Sequence, residues 1–166
     1  MSDATGSSSF QRVYDALVRV DDSWIRPFNG QDDIAEAWAR TAIDRLAVMV
    51  AGEPIEFTQT SIERSGFTQT ATALLFTRSR LLELSPTSLS GRAFDRSSVT
   101  AISRTGLLRV ELTELDGDSG MPWGIELELT YRDRVEPIRI CSRTEQHGET
   151  APVCGFMPSL LADLPR

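Results

Sequence analysis

The stretch Thr72–Leu84, TALLFTRSRLLEL, decides the fold. Two apolar runs, one ending at Phe76 and one starting at Leu81, are separated only by Thr77, Arg78, Ser79 and Arg80. Apolar runs of this length around so short a polar turn read as a β-hairpin. The hairpin opens a series of short strands that fills the rest of the chain. Towards the C-terminus, Leu108, Val110 and Leu112 alternate with Arg109, Glu111 and Thr113, and Ile125, Leu127, Leu129 and Tyr131 alternate with Glu126, Glu128, Thr130 and Arg132. A period of two gives each strand one buried and one wet face. Further strands are expected at 55–63, 68–77, 80–85, 97–104 and 137–143, with turn residues between them. That makes seven strands, mostly joined by hairpin-length turns, so an antiparallel sheet that curls or closes into a barrel is expected.

Before Ile55 the period is helical. Residues 1–9, rich in Ser, read as a disordered tail, and Ser9 as the cap of a helix with Phe10, Val13, Tyr14 and Leu17 on one face. Asp21–Gly30 carries turn chemistry. A stronger helix then starts near Gln31, with Asp32, Asp33 and Glu36 at its positive end and Ile34, Trp38, Ala42, Leu46, Met49 and Val50 in helical register. Gly52 and Pro54 stop it. At the other terminus Phe156, Leu160, Leu161 and Leu164 share one side of a short helix, Pro158 being tolerable only in its first turn. The fold class is therefore α+β: tail 1–9, helical extension 10–54 and a β domain 55–166, together forming one structural unit.

Composition sets the outer bounds. A chain of 166 residues suits one domain, and folding at that size typically buries roughly 70% of the surface of the unfolded chain. Two cysteines, Cys141 and Cys154, are too few for a disulfide framework, and a bridge between them is disfavoured in a reducing compartment. The polar N-terminus has no secretory pattern, so a cytoplasmic location is expected. All 17 basic residues are arginine, so every positive side-chain charge is permanent. The net charge of -7 disfavours nucleic acid. Residues 64–110 nevertheless hold seven arginines against Glu83 and Asp95, while residues 111–128 hold six acids and no arginine. Neutralisation of one block by the other is expected.

Leu74, Leu75, Phe76 and Thr77, followed after two residues by Leu81 and Leu82, resemble the hairpin of bacterial pleckstrin-homology-like (PH-like) and GRAM-like domains. The strand Val99–Ile102 behind a polar bend at Asp95–Ser98 is similar to the strand that succeeds this hairpin in the family. The resemblance covers residues 55–164, implies a seven-stranded PH-like curled sheet or barrel with a short C-terminal helix, and leaves the two N-terminal helices unexplained; those helices are expected to pack on the sheet. It also implies a scaffold for binding. The hairpin loop Glu63–Phe67 lacks the paired basic residues of phosphoinositide-binding members, which favours a protein partner over lipid.

Catalytic and metal chemistry find little material. His147 lies between Cys141 and Cys154 at spacings that match no zinc module. Asp116, Asp118 and Gly120 suggest a calcium loop, but the positions needing Gly and Glu fall on Met121 and Leu127. Glu126 and Glu128 sit on a wet strand face, and there is no G-x-S-x-G sequence. No cofactor or metal is expected, and Trp24, Trp38 and Trp123 read as packing residues. Arg78, Arg80, Arg92 and Arg96 are the candidate binding residues: if their two loops share one end of the sheet, their forks can clamp a phosphate or an acidic peptide. The expectation is a non-catalytic binding or adaptor module for a protein or acidic peptide. Peripheral attachment to anionic lipid headgroups is the first alternative. An NTF2-like cone holding a small molecule, with a carboxylate of shifted pKa in a deep pocket, is the second.

Overall fold

The computed structural model describes residues 4–118, 121–144 and 150–165. They belong to two compact units, Met1–Ile102 and Ser103–Arg166.

The first unit holds α1 (Ala4–Val20), a 3-10 segment (Asp22–Phe28) and α2 (Asp33–Val50). Its sheet comprises β1 (Ile55–Ser65), β2 (Thr68–Thr77), β3 (Arg80–Ser90), β4 (Ala93–Phe94) and β5 (Val99–Ser103). Strand order is β1-β2-β3-β4, with β5 also pairing β3. Helix α1 begins at Ala4, so the expected tail and the Ser9 cap are corrected: Ser9 lies inside the helix, where its Oγ accepts a bond from Arg12. Once the docked turns from Phe10 onward have offset the cost of nucleation, each added residue costs little, and a serine run extends the helix. For α2, Asp32 is the cap. Its Oδ1 accepts from the Ile34 and Ala35 amides at 2.9 and 3.1 Å. The helix ends on Ala51 in the left-handed region, ahead of Gly52.

Both helices pack on one sheet face through a shared core. Trp24 stacks on Trp38 with ring centroids 6.5 Å apart, and both are buried. Their indole N–H groups donate to Thr60 and Thr87 at 3.0 and 3.2 Å, so neither buried ring leaves a polar atom unpaired. The facing sheet positions are small, Ala71 and Ala73, flanked by Leu75, Leu82 and Leu84. Two large rings fit there because the strand beneath carries methyl groups. Asp21 closes the outer edge of β1 by accepting from the Ile62 amide at 3.0 Å. Trp24 is thus core.

The second unit is an antiparallel sheet of β6 (Leu107–Asp118), β7 (Met121–Tyr131) and β8 (Ile138–Arg143), in that order, with α3 (Val153–Leu161). Arg104 is 2% exposed and anchors α3. It pairs with Asp163 at 2.6 Å, donates to the Ser159 carbonyl at 3.0 Å and lies over the Phe156 ring. Pro158 is the sixth residue of α3, not a first-turn residue, so the Cys154 carbonyl lacks the usual helical donor.

Three expectations about architecture are corrected. Among the described residues there are eight strands, because Ala93–Phe94 pairs with Ser90 and Leu89 over two residues, too few for any periodicity to reveal. Among those residues the strands form two sheets and no closed barrel. The boundary between compact units falls after Ile102, inside the expected 55–166 domain, while the helical extension shares a core with β1–β3.

Candidate functional site

The four arginines singled out by the sequence do not converge. Arg78 and Ser79 turn from β2 into β3, and Arg80 is the first residue of β3. Arg92 lies two residues past Ser90, the last residue of β3. A strand rises about 3.3 Å per residue, so these turns stand on the order of 30 Å apart. The condition for a four-arginine clamp, both loops at one end of the sheet, is not met. Strand β3 is the spacer.

Arg80 is also occupied. Its Nη2 and Nε donate to Glu53 at 2.6 and 3.2 Å, and its Nη1 donates to the Met49 carbonyl at 3.2 Å. Glu53 further accepts from the Ser79 amide and hydroxyl. The Arg80 guanidinium outweighs partial burial and lowers the Glu53 carboxyl to about 2. This cluster ties the β2–β3 turn to the C-terminal end of α2, where a cation also suits the helix dipole. Arg78 is exposed beside it.

Arg92 and Arg96 remain as neighbours. After β4 the chain runs back along β3: the Asp95 amide donates to the Ser88 carbonyl and the Ser85 amide to the Ser98 carbonyl. Residues 91–96 are all exposed, and Phe94, 39% exposed, stands between the two arginines. Among the described residues neither guanidinium has a carboxylate partner, and β4 and β5 have no strand other than β3 beside them.

The acidic block is not neutralised as the sequence suggests. Of the arginines in 64–110, Arg109 pairs within the block, with Glu111 at 2.8 Å along the same strand. The other pairs come from β8: Arg139 to Glu128 at 2.8 Å across strands, and Arg143 to Glu114 and Asp116, both at 3.5 Å. Register explains this, since Glu128 faces Arg139 and Gly124 faces Arg143 across β7 and β8. Glu126 accepts from the Cys141 thiol at 3.6 Å. No disulfide joins Cys141 and Cys154, and burial raises the pKa of both thiols, Glu126 adding to the effect at Cys141. A raised pKa keeps a thiol protonated and poorly nucleophilic. His147 and Gly120 lie outside the described residues. No group of three or more potential metal-ligating side chains occurs among the described residues.

One concave site was not foreseen. A cleft of about 410 Å³ lies where the 3-10 segment, the start of α2 and the β1–β2 hairpin meet. It is lined by Arg26, Asn29, Gln31, Asp32, Arg64 and Gln69, with Pro27 and Ala35 as its apolar part. Beyond it, Phe67 at the hairpin tip is 95% exposed. Arg64 belongs to the basic block, but Arg26 is 38 residues earlier and gives no local signal; only the docking of the 3-10 segment on β1 brings them to one cleft. A second, more apolar groove of about 340 Å³ runs between α2 and β5, past Val48, Met49 and Val99. Glu53, whose pKa is strongly lowered, lines neither cleft.

No family model matches the chain, and no curated protein matches it. Among solved structures it is similar to a DUF1696 family protein with a pleckstrin-homology domain from Shewanella loihica PV-4. The two are 17% identical, with a TM-score of 0.38, over 72% of this chain and 90% of that one. No helix among the described residues is long and apolar enough to cross a membrane.

Proposed function

We propose that this protein is a non-catalytic binding module that takes an extended acidic segment of a protein partner along the β4–β5 edge. The observation that carries it is the pair Arg92 and Arg96, exposed on either side of Phe94 on a strand edge, without a carboxylate partner among the described residues. An added strand gains main-chain hydrogen bonds from such an edge. Arginine forks select carboxylates at alternate positions, and Phe94 offers apolar surface between them. Arg78 and Arg80 are outside this site; Arg80 holds the β2–β3 turn.

Fluorescence anisotropy with a labelled peptide alternating Glu and Val tests it. Saturable binding that falls at least tenfold in Arg92→Glu/Arg96→Glu, and is unchanged in Arg78→Glu, is the expected result. Equal binding by wild type and the double variant sinks the proposal.

A second reading, peripheral attachment to an anionic membrane, is favoured by one feature: an exposed aromatic at a hairpin tip three residues from an arginine, Phe67 and Arg64. Co-sedimentation with phosphatidylserine vesicles that is lost in Phe67→Ser supports it over the peptide edge.

A further inference from the structure

From the cleft between the 3-10 segment, α2 and the β1–β2 hairpin, we infer a second binding site, for a phosphate ester carrying hydroxyl groups. The cleft is polar where pockets for apolar ligands are not. Arg26 comes from the last turn of the 3-10 segment and Arg64 from the end of β1, so the two cations reach it from separately anchored elements. The anchoring is firm: Asp21 fixes the start of the 3-10 segment to the Ser23 and Ile62 amides, and Trp24 is locked against Trp38 and Thr60. Two arginines on rigid supports form a preorganised clamp for a tetrahedral oxyanion, which accepts several charged hydrogen bonds at once.

One opposing charge also lines the cleft. Asp32 lines the cleft, but its Oδ1 accepts from the Ile34 and Ala35 amides, and its backbone carbonyl accepts from Glu36. That carboxylate closes the end of α2, so the helix terminus contributes no free attraction and the anion must be held by the side chains. Arg64 is drawn only weakly towards Gln69, at 3.5 Å, and Arg26 has no ion pair among the described residues. Around the arginines, Asn29, Gln31 and Gln69 offer both donors and acceptors, the complement of hydroxyl groups beside the phosphate. A volume near 410 Å³ accommodates a small phosphorylated polyol with its water. The site is independent of the β4–β5 edge, and different arginines report on each.

Isothermal titration with glycerol 3-phosphate, with glycerol and succinate as controls, tests the inference on the full chain. The expected result is saturable binding of glycerol 3-phosphate, weakened at least tenfold in Arg26→Gln and in Arg64→Gln and unaffected by Arg92→Gln/Arg96→Gln. Both substituted side chains are exposed, and circular dichroism checks that the variants fold. Vesicles containing phosphatidylglycerol, whose headgroup is a hydroxyl-bearing phosphate ester, separate the sources of the phosphate. Pelleting that needs Arg26, Arg64 and Phe67 assigns a lipid headgroup, while tight free-ester binding insensitive to Phe67→Ser assigns a soluble ligand. Binding of succinate as tight as the ester, or binding by either source that survives both arginine substitutions, overturns the proposal, as does failure of both sources to bind.

Discussion

Glu53 and Arg80 show how a residue picked for one role serves another. Three guanidinium bonds hold Arg80 between Glu53 and Met49, so its charge is engaged inside the molecule. Because the Glu53 pKa is lowered to about 2 from an ordinary 4.5, the folded state binds its proton less readily than the unfolded chain. The contribution to stability is therefore complete above the ordinary value and is lost as pH falls towards 2. Glu53→Gln should cost about 1–2 kcal/mol at neutral pH. Urea titrations at several pH values should show the gap between wild type and variant closing between about pH 5 and pH 2. A gap that is constant with pH would mean that the pair does not hold the turn. The sequence announces an arginine in a turn; whether that arginine has a partner depends on Glu53, 27 residues away.

At the scale of elements, α3 is held by one buried cation as well as by its apolar face, Val153, Phe156 and Leu160. Arg104, in the 3-10 turn before β6, satisfies its donors on Ser159 of α3 and on Asp163 just beyond it, and its face on Phe156. Beside it the Tyr131 hydroxyl is buried with no hydrogen-bond partner among the described residues. Burial, reinforced by the Asp163 charge, raises its pKa to about 12. The two neighbours should therefore respond oppositely. Arg104→Met should destabilise by about 2–4 kcal/mol, since Asp163 and the Ser159 carbonyl lose their donor. Tyr131→Phe should lie within about 1 kcal/mol of wild type, because it removes a hydroxyl that makes no bond. Chemical denaturation measures both, and a large loss in Tyr131→Phe would reveal a partner for the hydroxyl. Local sequence carries no sign of this arrangement: Arg104 reads as one more member of a basic block, and only the path of the chain into β6 buries it.

Over the whole molecule, net charge and local charge point in different directions. A chain of net charge -7 repels anions on average, so an acidic peptide at Arg92 and Arg96 is held by a local field against an unfavourable background. Raising salt screens both. Since the Debye length falls from about 14 to about 6 Å between roughly 0.05 and 0.3 M salt, the long-range repulsion fades before contact pairs do. Peptide affinity at the edge should accordingly fall only a few-fold over that range, whereas the association rate should change little or rise; stopped-flow anisotropy separates the two. A rate that drops steeply with salt would mean that the field at the edge is attractive well beyond contact.

Period, caps and turn residues act over a few neighbours, and they were enough for the α+β class, the strong helix α2 with its Asp32 end, the hairpin at Arg78–Ser79 and the alternation of β7; the buried face expected for β6 is corrected, since Leu108 and Leu112 are 43% and 53% exposed. The rest came from tertiary packing alone. Ala93–Phe94 became a strand only because β3 lay beside it, and β3 carried Arg78 and Arg92 far apart where the sequence allowed them together. Ser9 entered a helix because turns beyond it were docked, Arg26 met Arg64 through the seating of Trp24, and Arg80 and Arg104 were matched to distant carboxylates. A local pattern records which face of an element is buried; it holds no record of which distant chain segment does the burying.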